Sequence, residues 1–418
     1  SENKTFWEKF FFFCFISREC RNFREKERKT QPDCYYTMML PLILLCIARA
    51  FRQDVHDGNA EQESRSLLRR AIIPAECSQW NFIYASRCER AFMIFTRLTP
   101  EAFDRVLERF TLSYDSTTMR NLNDGEWFHD LERPPRRDLP AHAGLALALR
   151  WCCSTANIQE LCVFFGIIPS TFSRFLPYCL SLLLATLQCD TAARVEWPTV
   201  DEQYIMADMV ALKYERLAGC FGTLDGLRLP LEESSDEIQQ NNYYNGWIKK
   251  HNIVNVFIWG ADGTIIGYGI NFPGTYHDSH VCADAGLYNA IRDKQDPALY
   301  LAGDAAFVDP NGGFETIVGG PKIRRVAKAN ERGPQNLEEA RWERDLTSYR
   351  QASEWGNQYL CSQFPRLKCK WKANDAPFRR LAITTILHLA NFRTRVIGRN
   401  QLDTVFAKPY WQQAHAGR

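Results

Sequence analysis

The stretch "HNIVNVFIWGADGTIIGYGI", residues 251–270, limits the possible folds more than any other part of the chain. Two apolar runs meet at Asp262-Gly263, a dipeptide that favours the positive-φ positions of a tight hairpin. A β-hairpin is therefore expected here, and its neighbours must be compatible with a sheet. Upstream, "FGTLDGLRLPL" (221–231) reads as another strand, with Phe221, Asp225, Leu227 and Leu229 on one face. An ionised carboxylate on an apolar face costs several kcal/mol unless something pairs with it. Asp225-Gly226 is itself a favoured turn dipeptide, so a tight turn competes with the strand at this point. Downstream come the loop "NFPGTYHD", a helix from Ser279 to about Arg292 capped by Asp278, and a short apolar strand "ALYLAGD" (298–304). A further helix is expected from about Leu337 to Gln363.

Three antiparallel strands, a crossover helix and a fourth strand beside the first make up the ribonuclease H-like order. The fold class expected is α/β, a ribonuclease H-like mixed sheet flanked by helices and preceded by an all-α helix-turn-helix-like domain. In that order the first strand is central and the fourth lies parallel to it, which sets Asp225 beside Asp304. Glu354 in "SYRQASEWGNQYL" can reach the same place from its helix, and Asp278 the same rim. Acidic oxygens brought together repel one another unless a divalent cation holds them. Mg²⁺ or Mn²⁺ suits such hard ligands and retains positions for water and phosphate. Ions of this kind activate water and stabilise the leaving oxygen of a phosphodiester. Each carboxylate also has a plain structural role: Asp278 as a helix cap, Asp304 at a turn, Glu354 in an exposed pair with Arg350.

The amino-terminal part reads as helical. In "FTRLTPEAFDRVLERF" (95–110), Thr99 can cap, Pro100 suits the first turn, and Phe103, Val106, Leu107 and Phe110 share a face. Residues 111–140 are polar and end in "LERPPRRDLP", as a linker or surface loop does. "NIQELCVFFGIIPSTFSRFL" has the rhythm of a helix-turn-helix, with a break at Gly166 and a second helix near Pro169. That second helix would offer Ser170, Thr171, Ser173 and Arg174 to a DNA groove; an ordinary helical hairpin fits the pattern equally well. The expected domains are a poorly defined region at 1–90, a helical DNA-binding domain at 91–200, a nuclease domain at 215–397 and a tail at 398–418.

Composition narrows the partners. A formal charge of +2 over 418 residues leaves nucleic-acid binding to local patches. The densest are "PKIRRVAKANER" (321–332), with Arg324 and Arg325, and "FPRLKCKWKA" (364–373), with Lys370 and Lys372 around Trp371. Phosphates can be tracked by such basic side chains and a base can stack on the tryptophan. Lys249 and Lys250 precede the hairpin and can face a phosphate, and His277 can touch phosphate or metal. The 15 cysteines include no Cys-x-x-Cys pair, which disfavours a zinc ribbon and suits reduced thiols. The longest apolar run, "MMLPLILLCIA" (38–48), is well short of the ~20 residues of a membrane span, so no membrane partner is expected.

Four blocks, "GTLDGLRLPL", "GTYHDSHV", "LAGDAAF" and "RQASEWGNQYLCSQFPRL", together with "YYNGWIKKHNIVNVFIWGADGTI", resemble the signatures of PIF/Harbinger-type DDE transposases and their domesticated nuclease relatives. The likeness covers about 220–395. It implies a metal-dependent DNA endonuclease or transposase that cleaves, and transfers, strands at transposon ends in the nucleus. Asp225, Asp278, Asp304 and Glu354 would be metal ligands; the resemblance leaves open whether Asp278 or Asp304 is the second member of the catalytic triad, and the fold order favours Asp304, with Asp225 and Glu354. It implies DNA as partner, a Myb-like DNA-binding protein beside it, and a homo-oligomer. The alternative is a domesticated, non-catalytic DNA-binding protein of the same fold. Two departures stand out: Ala305-Ala306-Phe307 where the family usually carries a tyrosine, and a long gap between Asp304 and Glu354.

Overall fold

Local signals set the helical half. In this computed structural model, which describes residues 72–117, 139–304, 307, 317–318 and 334–398, the chain begins with α1 (Gln79–Ser86), α2 (Glu89–Thr96) and α3 (Pro100–Ser116). The hydroxyl of Thr99 accepts from the Ala102 amide and Pro100 opens the first turn of α3, while Phe103, Val106 and Phe110 are buried. Trp80 of α1 is enclosed by the rings of Phe92, Phe103 and Phe165 at 5.7, 5.5 and 6.4 Å. Next come α4 (Ala141–Cys152), α5 (Ile158–Phe165), α6 (Pro169–Gln188) and α7 (Val200–Ala211). Asn157 and Glu160 form a capping box on α5, which stops at Gly166 with φ +69°.

The axes of α5 and α6 differ by 90°. Ser170, Ser173 and Arg174 are exposed, whereas Thr171 is turned inward, contrary to the reading that set it beside them. Beyond Arg174 the helix is buried from Phe175 to Leu183. Its apolar length is spent in the core, against α3, α4 and the last helix. Among the described residues no single helix is long and apolar enough to cross a membrane.

The sheet has the expected order. β1 (Cys220–Pro230) lies at its centre, antiparallel to β3 (Lys250–Gly260) and parallel to β5 (Tyr300–Ala302). β6 (Ile317–Val318) follows in parallel beyond β5, while β4 (Ile265–Pro273) and the two-residue β2 (Tyr244–Asn245) both pair with β3. The β3–β4 hairpin turns where Asp262-Gly263 predicted: Gly263 has φ +77°, and the Asp262 carboxylate accepts from the amide and hydroxyl of Thr264. Asp225-Gly226 is no turn. Both residues lie within β1, with Asp225 opposite Phe257.

β3 is buried without interruption from Asn252 to Gly260, as a strand covered on both faces must be. The remaining helices are α8 (Glu237–Tyr243), α9 (Asp278–Asp284), α10 (Leu287–Lys294), α11 (Pro334–Gln363) and α12 (Ala376–Ile397). The single helix expected over 279–292 is two, broken at Gly286 with φ +70°. α7 and α11 pack on β1, α9 on β3 and β4, and α12 joins β4 to α6.

Candidate functional site

The site is built at the half-exposed stretch of β1, where its buried run ends. Residues 220–224 are buried and 225–228 are partly open. Asp225 sits at that transition, and the parallel neighbour β5 ends at Ala302, two residues before Asp304. α9 begins at Asp278, and α11 crosses β1 with Glu354 on its length.

Asp278 does not cap its helix. The cap position belongs to His277, with no side-chain bond to the helix, and the Asp278 carboxylate points to the sheet instead. A Cβ on Gly226 would lie 2.6 Å from Asp278 Oδ2, so only glycine at 226 lets the carboxylate rest against the strand. Asp278 Oδ1 is buried there without a hydrogen-bond partner. Burial raises the Asp278 carboxyl, and the charge of Asp304 raises it further, while Arg228 and His277 oppose the shift. Arg228 is held in place by donating to Gly274 O at 3.2 Å and Asn252 Oδ1 at 3.3 Å.

Asp225 is the more perturbed of the pair. Burial pushes its carboxyl up to about 6; the charges of Asp278 and Glu354 add to this, and the Gly226 backbone and Arg350 work against it. Asn357 Nδ2 donates to Asp225 Oδ2 at 3.2 Å, and its Oδ1 accepts from Trp259 Nε1 at 3.3 Å. The reach of Asn357 depends on Gly356, whose absent Cβ would lie 2.7 Å from the Trp259 ring. α11 can thus lie directly on β3. Glu354 is exposed one turn away, and Arg350 pairs with Asp304 at 3.7 Å rather than with Glu354.

The carboxylates, three on β1, α9 and α11 and Asp304 just past β5, feel one another's charge in pairs: Asp225 with Asp278, Asp278 with Asp304, and Asp225 with Glu354. Among the described residues no three Asp, Glu, His or Cys side chains are close enough to hold one ion between them. The donor set is nonetheless suited to a hard divalent cation. It consists of carboxylate oxygens, one of them buried and unbonded, and Mg²⁺ is commonly held by one or two carboxylates with water and phosphate completing its shell.

The comparisons with known proteins bear on this same segment. Residues 224–391 match the DDE superfamily endonuclease family. The match runs from the residue before Asp225 through most of α12, and so contains all four carboxylates and the mixed sheet that carries them. A mixed sheet flanked by helices is consistent with a DDE nuclease fold. No curated protein and no solved structure matches the chain.

The basic residues are placed unequally. Lys249 and Lys250 are exposed where β3 begins, and Lys249 adopts φ +54°. Lys370 and Lys372 are exposed too, but Trp371 between them is 5% exposed and packs edge-on to Trp151 at 5.8 Å. A base needs an open ring face, so Trp371 is a core residue and not a stacking platform. Arg324 and Arg325 lie outside the described residues. Sequence reasoning missed Gly226, Arg228, Arg350 and Asn357. A glycine in a strand and a glycine in a helix were the available signals, since each marks a close approach.

Proposed function

We propose that the chain is a divalent-metal-dependent DNA endonuclease of the DDE transposase kind, with a ribonuclease H-like nuclease domain and PIF/Harbinger-type ancestry. The observation that carries the reading is the coincidence of the family match with Asp225, Asp278, Asp304 and Glu354, which couple in pairs through their charges, with Asp278 resting against Gly226 of β1. Asp225 and Asp278 would hold the cation, water and phosphate would complete its shell, and Asp304 and Glu354 would act on it through their charge. Mg²⁺ or Mn²⁺ bound there supplies Lewis-acid activation of water and charge neutralisation at the leaving oxygen. Asn357 orients Asp225 through its Oδ2, and the low polarity that raises the Asp225 carboxyl favours capture of a cation over solvation by water. Arg350 balances the charge of Asp304.

DNA lies across the exposed Lys249, Lys250, Lys370 and Lys372, with Arg174 on α6 as a further contact and Arg324 and Arg325, outside the described residues, as candidates from the sequence. The substrate is a transposon end in the nucleus, engaged by a homo-oligomer with a Myb-like partner that supplies end recognition. The test is nicking of such ends with Mg²⁺ or Mn²⁺. The wild type should nick, and Asp225→Ala should lose at least about a hundredfold in rate, as expected on removing a group that stabilises the transition state. Equal nicking by both proteins would dispose of the assignment. Metal-independent binding without nicking by either would favour the non-catalytic alternative.

A further inference from the structure

Trp247 is 94% exposed, the most open of the large apolar side chains among the described residues. It is nevertheless not on a loose end. Asn245 Oδ1 accepts from the amides of Trp247 and Ile248 at 3.0 and 3.3 Å, which folds the turn between β2 and β3 over one side chain. Asn245 Nδ2 donates to Gly274 O at 2.8 Å, and the Thr275 hydroxyl donates to Asn242 O at 3.3 Å. The turn is thus fastened to the loop that leads, within four residues, to Asp278. The same Gly274 carbonyl takes the bond from Arg228, the cation nearest Asp278 in effect. Lys249 and Lys250 follow Trp247 after the single residue Ile248, both exposed.

An indole in water beside two ammonium groups, on a hydrogen-bonded scaffold, is complementary to a chain of phosphates that carries planar rings. In a paired duplex those rings are hidden in the stack, so the ring that meets Trp247 belongs to an unpaired or extruded nucleotide. We propose that the turn at 245–250 is a clamp for an unstacked nucleotide beside the acidic site, with Trp247 stacking on the base and Lys249 and Lys250 on the flanking phosphates. The inference rests on the reading of this chain as one that acts on DNA, and it names the distorted form of DNA that the site receives.

The test uses the full chain in EDTA and two probes: a short duplex with a bulged 2-aminopurine, and the same duplex fully paired. Wild type should bind the bulged probe roughly tenfold more tightly and quench its fluorescence, as base–aromatic stacking predicts. Trp247→Ala should bring the two affinities together without changing that for the paired probe, and Trp247→Phe should keep part of the preference. Replacing Lys249 and Lys250 together with Ala should weaken both probes alike and lower the salt slope by about two. No preference in the wild type, or a preference that survives Trp247→Ala, overturns the clamp. So does a Trp247→Ala protein that changes only its sedimentation, since the surface then joins two copies of the chain.

Asp225→Ala separates this idea from the endonuclease assignment. It should retain the bulge preference while losing nicking. A Trp247-dependent preference in a protein that never nicks would keep the clamp and remove the nuclease; nicking with a neutral Trp247→Ala would do the reverse.

Discussion

Arg379 and Asp278 both keep polar atoms out of water, the first its whole side chain and the second one oxygen, and their surroundings differ completely. Arg379 of α12 has no exposed surface. Its Nε donates to Asn271 Oδ1 at 2.8 Å, one terminal nitrogen to the carbonyls of Lys372 and Ala373, and the other to the Tyr243 hydroxyl at 3.1 Å. The Tyr243 ring also lies 5.3 Å from the guanidinium carbon. Asp278 keeps one buried oxygen with no donor at all. A buried charge that serves the fold carries its partners within the chain. A buried oxygen without a donor is an electrostatic cost that Arg228 and His277 offset only through space, and on the proposed reading its partner arrives from outside.

The contrast can be broken first at Arg379. Arg379→Met strands two carbonyls, an amide oxygen and a phenol, and should cost about 3 kcal/mol or more, at 1–3 kcal/mol for each buried group left unsatisfied. A urea midpoint within experimental scatter of the wild type would show that the network contributes nothing. Asp225→Asn should move the other way. The native carboxyl sits near 6 against an ordinary 3.8, so the folded state binds its proton more tightly than the unfolded chain. Stability must therefore fall as pH rises between those values and stay reduced above them. Removing the charge should stabilise the cation-free protein by about 2 kcal/mol at pH 7, with the gain vanishing near pH 4. Thermal melts across that range check both the sign and the window, and addition of Mn²⁺ should raise the Tm of the wild type alone.

Asn357→Ala sharpens the comparison, because Asn357 is the side chain that does satisfy an oxygen at the acidic end. Its loss frees Asp225 Oδ2 and strands Trp259 Nε1, for about 1–2 kcal/mol of stability. An ionised carboxylate that loses a donor becomes a weaker acid, so the acid limb of the nicking profile should shift to higher pH. An unmoved limb with reduced stability would make Asn357 a packing residue only.

Features governed by neighbours in sequence were legible. Asp262-Gly263, Thr99-Pro100 and Gly166 each act within a turn of themselves, and each did what its chemistry dictates. The strand order followed, because alternating apolar runs and a crossover helix leave few ways to close a sheet. Where a side chain's partner is far along the chain, local rules misled. Asp278 looks like a cap and faces Gly226 instead; Arg350 looks like the partner of Glu354 and meets Asp304. Trp371, flanked by lysines, looks like a surface ring and is packed on Trp151, 220 positions earlier. Ridges and grooves between α11 and β3, set by Gly356 and Trp259, decide what Asn357 touches, and no periodicity encodes that.

The run of buried residues in α12, from Leu381 to Phe392 and on to Arg393, has a consequence for how such a chain can change. Its wall touches β4 on one flank and α6 on another, and Asn391 grips both sides of the Ile265 peptide, accepting from its amide and donating to its carbonyl. A fragment trimmed at residue 200 would bare a greasy seam and clump. Shuffling at that boundary would separate α6 from the α12 face that covers it, so the two helices must be inherited together.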